Sequence, residues 1–144
     1  MLTQLLTEEV ISIEAGARDW RHAIELATAP LLTNGTIEPS YVAALFRSHE
    51  ELGPYYVLGP GLAMPHARPE DGVNRLGLGL TVLKTGVNFG SEGNDPIQLL
   101  ITLAAIYGDG WQLASAIVFG VALLLLYCPS LYCCCCRRVC WGRL

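Results

Sequence analysis

Apolar residues recur at helical spacing in two segments of the first half of the chain. The first segment begins after Asp19, which suits the N-cap position of a helix. It contains one apolar stripe, formed by Trp20, Ala23, Ile24, Ala27 and Leu31. Pro30 predicts a kink in this helix or the end of its regular part. The second helix is predicted from Pro39, a residue favoured at the first helical position, to Gly53. Its inner face is formed by Val42, Leu45, Phe46 and His49.

Shorter apolar runs predict strands between and after these helices. They are Val10–Ile13, Tyr55–Leu58, Leu62–Met64, Leu76–Leu83 and, as a short edge piece, Val87–Phe89. In the strand from Leu76, Gly77 and Gly79 leave one face bare, so another part of the chain is expected to approach closely. The run Ile97–Ala105 is nearly all apolar, as in a strand buried on both faces. A further helix is predicted over Gln112–Tyr127. Strands interleaved with helices indicate an α/β layered fold.

The segment Gly53–Glu70, with the sequence GPYYVLGPGLAMPHARPE, is too rich in proline and glycine for a helix. Short extended pieces linked by fixed turns are expected here, and such a backbone presents one side chain in one orientation. His66 is the candidate. A neutral imidazole is a good nucleophile toward phosphorus, and Arg68 is placed to bind phosphoryl oxygens. The alternative is that His66 merely fills a turn and Arg68 is a surface charge.

The length and the charge of the chain limit the number of domains and the classes of function to consider. The 144 residues suit one domain, and no internal repeat is present. Up to Asp109 the chain has six basic and 13 acidic residues, a net charge of −7, which argues against nucleic-acid binding. The start, MLTQLLTEEV, lacks the features of a signal peptide, so a cytoplasmic location is expected.

The central motif resembles that of a known family. The segment GPYYVLGPGLAMPHARPEDGV, followed by LGLGLTVLKTGVNFGSEGNDPIQLLITLAA, resembles the IIA domains of the phosphoenolpyruvate-dependent sugar phosphotransferase system. Within the mannitol/fructose class (type 2 IIA), the ascorbate-type and cryptic-mannitol-type branch is most similar. The resemblance covers about Leu5 to Ala116, so residues 1–116 are expected to be the IIA domain and 117–144 an atypical tail.

The resemblance implies a fold, a reaction and partners. The fold is a mixed, largely parallel sheet with helices on both faces. The reaction is that of a phosphotransferase: His66 accepts phosphate from the carrier HPr and passes it to a cysteine of a IIB protein. That cysteine phosphorylates the sugar as the membrane subunit IIC imports it. No metal or organic cofactor is expected. Arg68 as a phosphate clamp is an inference from its place in the motif.

Two histidine questions follow from the resemblance. Family members usually have a second histidine after the strand that matches Ile97–Ala105, and this chain has Trp111 at that position. An indole N–H donates one hydrogen bond but carries no charge near neutral pH. His49 substitutes for the missing histidine if the second helix packs against the site; its place on the apolar stripe favours a core histidine instead.

The tail departs most from the family. From Gly110 to Leu144 there are three arginines, no acidic residue and all six cysteines. Leu113–Cys128 has no charge but is short for a membrane span. A disrupted reading frame is favoured; a membrane anchor with acylated cysteines, extending over residues 113–136, and a metal or redox cluster are the alternatives. Such an apolar tail also predicts self-association.

The leading interpretation is therefore a cytoplasmic IIA phosphocarrier with His66 as the nucleophile. The rival interpretation is a regulatory or impaired IIA-like module, which keeps the fold but uses phosphorylated His66 as a signal. The replacement of the second histidine by Trp111 supports this rival. A form tethered to membranes through its tail is a third alternative.

Overall fold

In the computed structural model, which describes residues 5–106, five strands form one mixed sheet. The strands are β1 (Ile11–Glu14), β2 (Val57–Gly59), β3 (Leu62–Ala63), β4 (Gly77–Val87) and β5 (Ile97–Ala104). The two α-helices are α1 (Trp20–Thr33) and α2 (Pro39–Leu52). Short 3-10 turns are formed by Glu8–Val10 and Pro69–Asp71. The mixed α/β class expected from the sequence is confirmed.

The sheet has the strand order β1-β4-β5-β3-β2. The β1–β4 and β3–β5 pairs are parallel, and the β4–β5 and β2–β3 pairs are antiparallel. The predicted edge piece at Val87–Phe89 is wrong in one respect, because Val87 is the last residue of β4 and pairs with Ile97 of β5. The long hydrogen-bonded pair β4–β5 forms the centre to which the shorter strands attach.

Helix α1 begins as its sequence predicts. The Asp19 carboxylate accepts a hydrogen bond from the His22 N–H at 2.8 Å and caps the helix. The five residues of the predicted stripe face the core; Trp20 is partly buried and the other four are buried. The helix continues through Pro30 to Thr33, so Pro30 does not end it.

Two glycines of β4 allow α1 and the residues after it to lie close to the sheet. A Cβ at Gly77 would come within 2.3 Å of the Thr36 methyl group, and one at Gly79 would touch the Ala27 carbonyl oxygen and Leu31. The close approach expected from these glycines is confirmed. It also brings the Ala27 carbonyl oxygen within 3.2 Å of the Thr102 hydroxyl, which donates a hydrogen bond to it.

Helix α2 carries a second buried face. Pro39 is its first residue, and Gly53, with φ of 74°, ends it in a backbone conformation that favours glycine. The buried residues are Tyr41, Ala44, Leu45 and His49, while Val42 and Phe46 are partly buried. The predicted face was therefore correct for Leu45 and His49 but did not include Tyr41, which lies at the centre of the site described below.

Residues 107–144, with the predicted helix Gln112–Tyr127 and the apolar tail, lie outside the described part of the chain. Within residues 5–106, no helix is both long enough and apolar enough to span a membrane.

Candidate functional site

The segment that carries His66 attaches to the end of β5. His66 and Leu103 form an isolated parallel bridge, and the Leu103 N–H donates a hydrogen bond to the Pro65 carbonyl oxygen at 3.1 Å. Just before it, the Met64 N–H donates to the Tyr56 carbonyl oxygen at 2.8 Å. The proline- and glycine-rich segment therefore continues the sheet by single hydrogen bonds, and it holds the backbone of His66 at the edge of the core.

The imidazole of His66 has a defined tautomer. Its Nδ1 lies 2.9 Å from the carbonyl oxygen of Met64. Because a carbonyl oxygen only accepts hydrogen bonds, Nδ1 must carry the proton and donate it. In the neutral ring the lone pair is then on Nε2, the nitrogen farther from the backbone. His66 is half-buried, so the ring is neither enclosed in the core nor free in solvent.

Tyr55 contacts His66 in two ways. Its hydroxyl donates a short hydrogen bond to the His66 carbonyl oxygen, and its ring meets the imidazole edge-on, with 5.4 Å between ring centres. Burial raises the pKa of Tyr55, so the phenol keeps its proton at neutral pH and remains a donor. The sequence interpretation gave Tyr55 no role. The signal was present in the GPYY segment, where Tyr55 is the first residue of the predicted strand.

Tyr41 of α2 reaches the same segment from the core. Its fully buried hydroxyl accepts a hydrogen bond from the Ala67 N–H at 3.0 Å and donates one to the Leu103 carbonyl oxygen at 2.5 Å. No sequence pattern pointed to this contact, because Tyr41 and Ala67 are 26 positions apart. The residues on both sides of His66 are thus bonded, Pro65 to β5 and Ala67 to Tyr41.

Arg68, the predicted phosphate clamp, is exposed and begins the turn Pro69–Asp71. Its backbone N–H donates to the Asp71 carboxylate at 3.2 Å. The same carboxylate lies 3.8 Å from a guanidinium nitrogen of Arg47 on α2. The two ion pairs among residues 5–106, Arg47–Asp71 and Arg21–Glu50, do not use the guanidinium of Arg68. Arg47 is a second cation next to this turn that the sequence interpretation missed.

His49 lies in an aromatic cluster, which consists of Trp20, Phe46, His49, Tyr56 and Phe89. Its ring stacks on Trp20 at 3.8 Å between ring centres, and its Nδ1 lies 2.7 Å from the Tyr56 hydroxyl. Burial, and then the positive charge of Arg21, lower the pKa of His49. The ring contacts of His49 within the described residues are all to Trp20, Tyr56 and Phe89, and none is to His66.

The remaining predicted site residue, Trp111, lies outside the described residues. Between positions 5 and 106, no group of three histidine, cysteine or acidic side chains is placed to hold a metal ion. The site as described consists of one imidazole of defined tautomer and two tyrosine hydroxyls, one bonded to the His66 carbonyl oxygen and the other to the Ala67 N–H. Arg68 lies at the adjoining turn, and Arg47 of α2 reaches the same turn.

A comparison with protein families identifies the class to which this fold and site belong. Residues 4–114 match the family model described as "Phosphoenolpyruvate-dependent sugar phosphotransferase system, EIIA 2". The match covers most of the chain, including His66 and Arg68. The protein belongs to this family of phosphotransferase-system IIA components, as the motif around His66 indicated.

Individual relatives indicate which members of this IIA family are similar to the chain. The ascorbate-specific EIIA component of Shigella boydii serotype 4 (strain Sb227) is 42% identical over 108 residues, which are 75% of this chain and 70% of that protein. Among solved structures, the mannitol-specific cryptic phosphotransferase enzyme IIA CmtB from Escherichia coli is 41% identical, with a TM-score of 0.73 over 88% of this chain and 82% of that chain.

A third relative is found in a complex. The structure of the mannitol enzyme IIA of Escherichia coli with phosphorylated mannitol enzyme IIB is similar, at 30% identity and a TM-score of 0.68. The similarity covers 81% of this chain and 81% of that chain. Both the ascorbate and the mannitol types expected from the motif are thus represented among the relatives.

Proposed function

We propose that this protein is a phosphocarrier that takes a phosphoryl group from phosphorylated HPr on Nε2 of His66 and passes it to a cysteine of a IIB protein. The observation that carries this proposal is the hydrogen bond from Nδ1 of His66 to the Met64 carbonyl oxygen, which leaves the nucleophilic lone pair on Nε2. A ring free to exchange tautomers would be in the reactive form only part of the time.

The transfer needs no proton movement at His66. The Nε2 lone pair attacks phosphorus, a P–N bond forms, and the bond between phosphorus and the donor breaks with its electron pair leaving on the donor. The positive charge that spreads over the ring is stabilised by the bond from Nδ1–H to the Met64 carbonyl. In the second transfer the IIB thiolate attacks phosphorus, and the electron pair of the P–N bond returns to Nε2.

Arg68 is the proposed clamp for the phosphoryl oxygens. It follows His66 by two residues and it is exposed. A planar guanidinium binds two phosphoryl oxygens at once, and phosphoryl transfer depends mainly on positioning and charge stabilisation. Arg47 is tied to Asp71 and supports the turn on which Arg68 lies.

Both partners are proposed to dock on one largely apolar surface around His66. Tyr55, which is 38% exposed, touches the His66 ring, and Leu52 and Leu58, which are 69% and 44% exposed, lie within three positions of Tyr55 in the sequence. Exposed apolar side chains favour transient protein contacts. The relative that forms a complex with phosphorylated enzyme IIB supports a IIB partner. The proposed location is the cytoplasm. A reporter fused to residues 110–144 tests the alternative, in which the apolar segment 113–136 tethers the protein to a membrane.

The test is a reconstituted relay. The full-length protein is incubated with radiolabelled phosphoenolpyruvate, enzyme I and HPr, and then with IIB proteins of the ascorbate and cryptic mannitol types. We expect acid-labile phosphate on His66 that moves to a IIB cysteine, and no label on the His66→Gln variant. Phosphate that reaches His66 but stays there would support the regulatory module instead. Absence of label on the folded wild-type protein would refute both functions.

A further inference from the structure

A tyrosine hydroxyl stands within the hydrogen-bond ladder next to His66. In a parallel bridge between His66 and Leu103, the N–H of Leu103 donates to the carbonyl oxygen of the residue before His66. The carbonyl oxygen of Leu103 accepts from the N–H of the residue after His66. Leu103 makes the first bond directly, from its N–H to the Pro65 carbonyl oxygen. On the other side, the Tyr41 hydroxyl connects the Ala67 N–H to the Leu103 carbonyl oxygen.

The hydroxyl is fully used by these two bonds. It has one proton, which it donates to Leu103, and it accepts the Ala67 N–H through its oxygen. Its burial raises the pKa of Tyr41 far above neutrality, so the hydroxyl keeps the proton that this bridge requires. Without the oxygen, the part-buried Ala67 N–H and the buried Leu103 carbonyl would each lose the partner that the hydroxyl supplies.

The position of Tyr41 in the fold determines what this bridge does. Tyr41 is the third residue of α2, two positions after Pro39 at the helix start, so its backbone is held in the first turn of the helix. Its hydroxyl therefore ties α2 to the backbone amide that follows His66. Pro65 on the other side is tied to β5. The Cα of His66 is thus held between a strand and a helix.

We propose that Tyr41 is a positioning residue for phosphoryl transfer, acting through the Ala67 amide to hold the imidazole of His66 in line with the incoming phosphorus. The proposal rests on the phosphocarrier function argued above. It gives Tyr41 a role beyond core packing, because the ring alone fills the core and the hydroxyl alone makes the bridge. The two roles are separated by removing one oxygen atom.

The experiment compares Tyr41→Phe with Tyr56→Phe in the full-length protein. Tyr56 is an equally buried tyrosine whose hydroxyl bonds His49 Nδ1 at 2.7 Å, away from the Ala67 amide. For Tyr41→Phe we expect phosphate uptake from HPr to be slowed about 10- to 100-fold, because misplacement of a reacting group lowers the rate of the chemical step. The half-saturating HPr concentration should be unchanged. For Tyr56→Phe we expect uptake within about twofold of the wild type, since only the bond to His49 is lost and the backbone bond between the Tyr56 carbonyl oxygen and the Met64 N–H remains.

Two NMR readouts separate positioning from a loss of stability. In Tyr41→Phe, the ¹⁵N shifts of the unphosphorylated His66 ring should change from the Nδ1–H tautomer to a mixture, and Tyr56→Phe should keep the wild-type shifts. In the wild type, the Ala67 amide should exchange with solvent as slowly as the amides of β5. These measurements do not require phosphate uptake, so they decide the role of Tyr41 in the resting protein even if the relay itself fails.

Three results would overturn the inference. One is a folded Tyr41→Phe variant with wild-type uptake and wild-type ring shifts. Another is equal slowing in both variants with the His66 tautomer intact, which would make the effect one of general stability. The third applies if Tyr41→Phe does not fold: an Ala67 amide that exchanges rapidly in the wild type would show that the bridge does not hold this segment.

Discussion

His66 and His49 are both bonded through Nδ1, yet their surroundings prepare them for different tasks. The Nδ1 of His66 meets a backbone carbonyl, which only accepts, so the proton is fixed on that nitrogen. The Nδ1 of His49 meets the Tyr56 hydroxyl, which both donates and accepts, so neither tautomer is imposed. His66 lies at the edge of the core beside a partly exposed tyrosine, whereas His49 is buried, stacks on Trp20 and meets Phe89 edge-on.

This difference shows which surroundings suit a histidine to act as a nucleophile and which suit it to pack in the core. The ring of His49 contributes packing area, and its Nδ1 is bonded to the hydroxyl of the buried Tyr56. The ring of His66 contributes little to the core and has its backbone held on both sides. A fixed tautomer, a held backbone and access to a partner occur together at His66.

The largest expected effect is the difference between two variants, in which His66 or His49 is replaced by glutamine. His66→Gln should abolish phosphate uptake while changing the free energy of unfolding by less than about 1 kcal/mol, since the ring is half-buried and outside the core cluster. His49→Gln should keep uptake but lose about 1–3 kcal/mol of stability, because the stack on Trp20 and the bond to Tyr56 are both disturbed. Urea unfolding and phosphate labelling of both variants check this. Loss of uptake in a folded His49→Gln would instead make His49 a neighbour of the site.

Next in size is the effect of Arg68. Arg68→Gln should slow uptake about 10- to 100-fold, as expected for removal of a cationic donor to a transferring phosphoryl group. Arg21→Gln is the matched control; its guanidinium lies over Trp20 and Phe46 near His49. Its uptake should stay close to that of the wild type. Equal rates for Arg68→Gln and the wild type would remove Arg68 from the site.

Tyr55→Phe should have a smaller effect. The ring contact with His66 remains, and the hydrogen bond to the His66 carbonyl oxygen is lost. A hydrogen bond of this kind contributes about 0.5–1.5 kcal/mol, so we expect transfer to slow by roughly 2- to 10-fold. Stopped-flow measurement of uptake at saturating HPr checks it. A rate equal to that of the wild type would mean that the Pro65 and Ala67 bonds alone hold His66.

The sequence predicted the local structure and the motif around His66 much better than the tertiary contacts that support His66. The helix α1 followed from Asp19 and one apolar stripe, and the close approach at Gly77 and Gly79 followed from two missing side chains. These are local patterns, in which the residues that interact lie near one another in sequence or share a periodic face. The motif around His66 was recognised for the same reason.

The support of His66 was not predictable in this way. Tyr41 and Ala67 are 26 positions apart, and Tyr41 and Leu103 are 62 apart, so no spacing rule joins them. The tautomer of His66 likewise depends on the Met64 carbonyl, whose direction is set by the backbone that follows β3. The prediction that β4 ends before Val87 failed because pairing with Ile97 prolongs the strand through a polar stretch. In each case the missing information was a tertiary contact.

The smallest expected effect is a pH dependence that belongs to His49. Burial, reinforced by Arg21, lowers its pKa in the folded protein below the ordinary value of about 6.5. Below that value the unfolded chain binds a proton that the folded protein does not, so the contribution of His49 to stability is fully present above about pH 6.5 and is lost as the pH falls through the lowered pKa. Urea unfolding at pH 7.5 and pH 5.5 should therefore show a larger loss on acidification in the wild type than in His49→Gln. If His49→Gln shows the same loss as the wild type, the titrating group is another one, and the comparison between the two histidines holds in packing but not in charge.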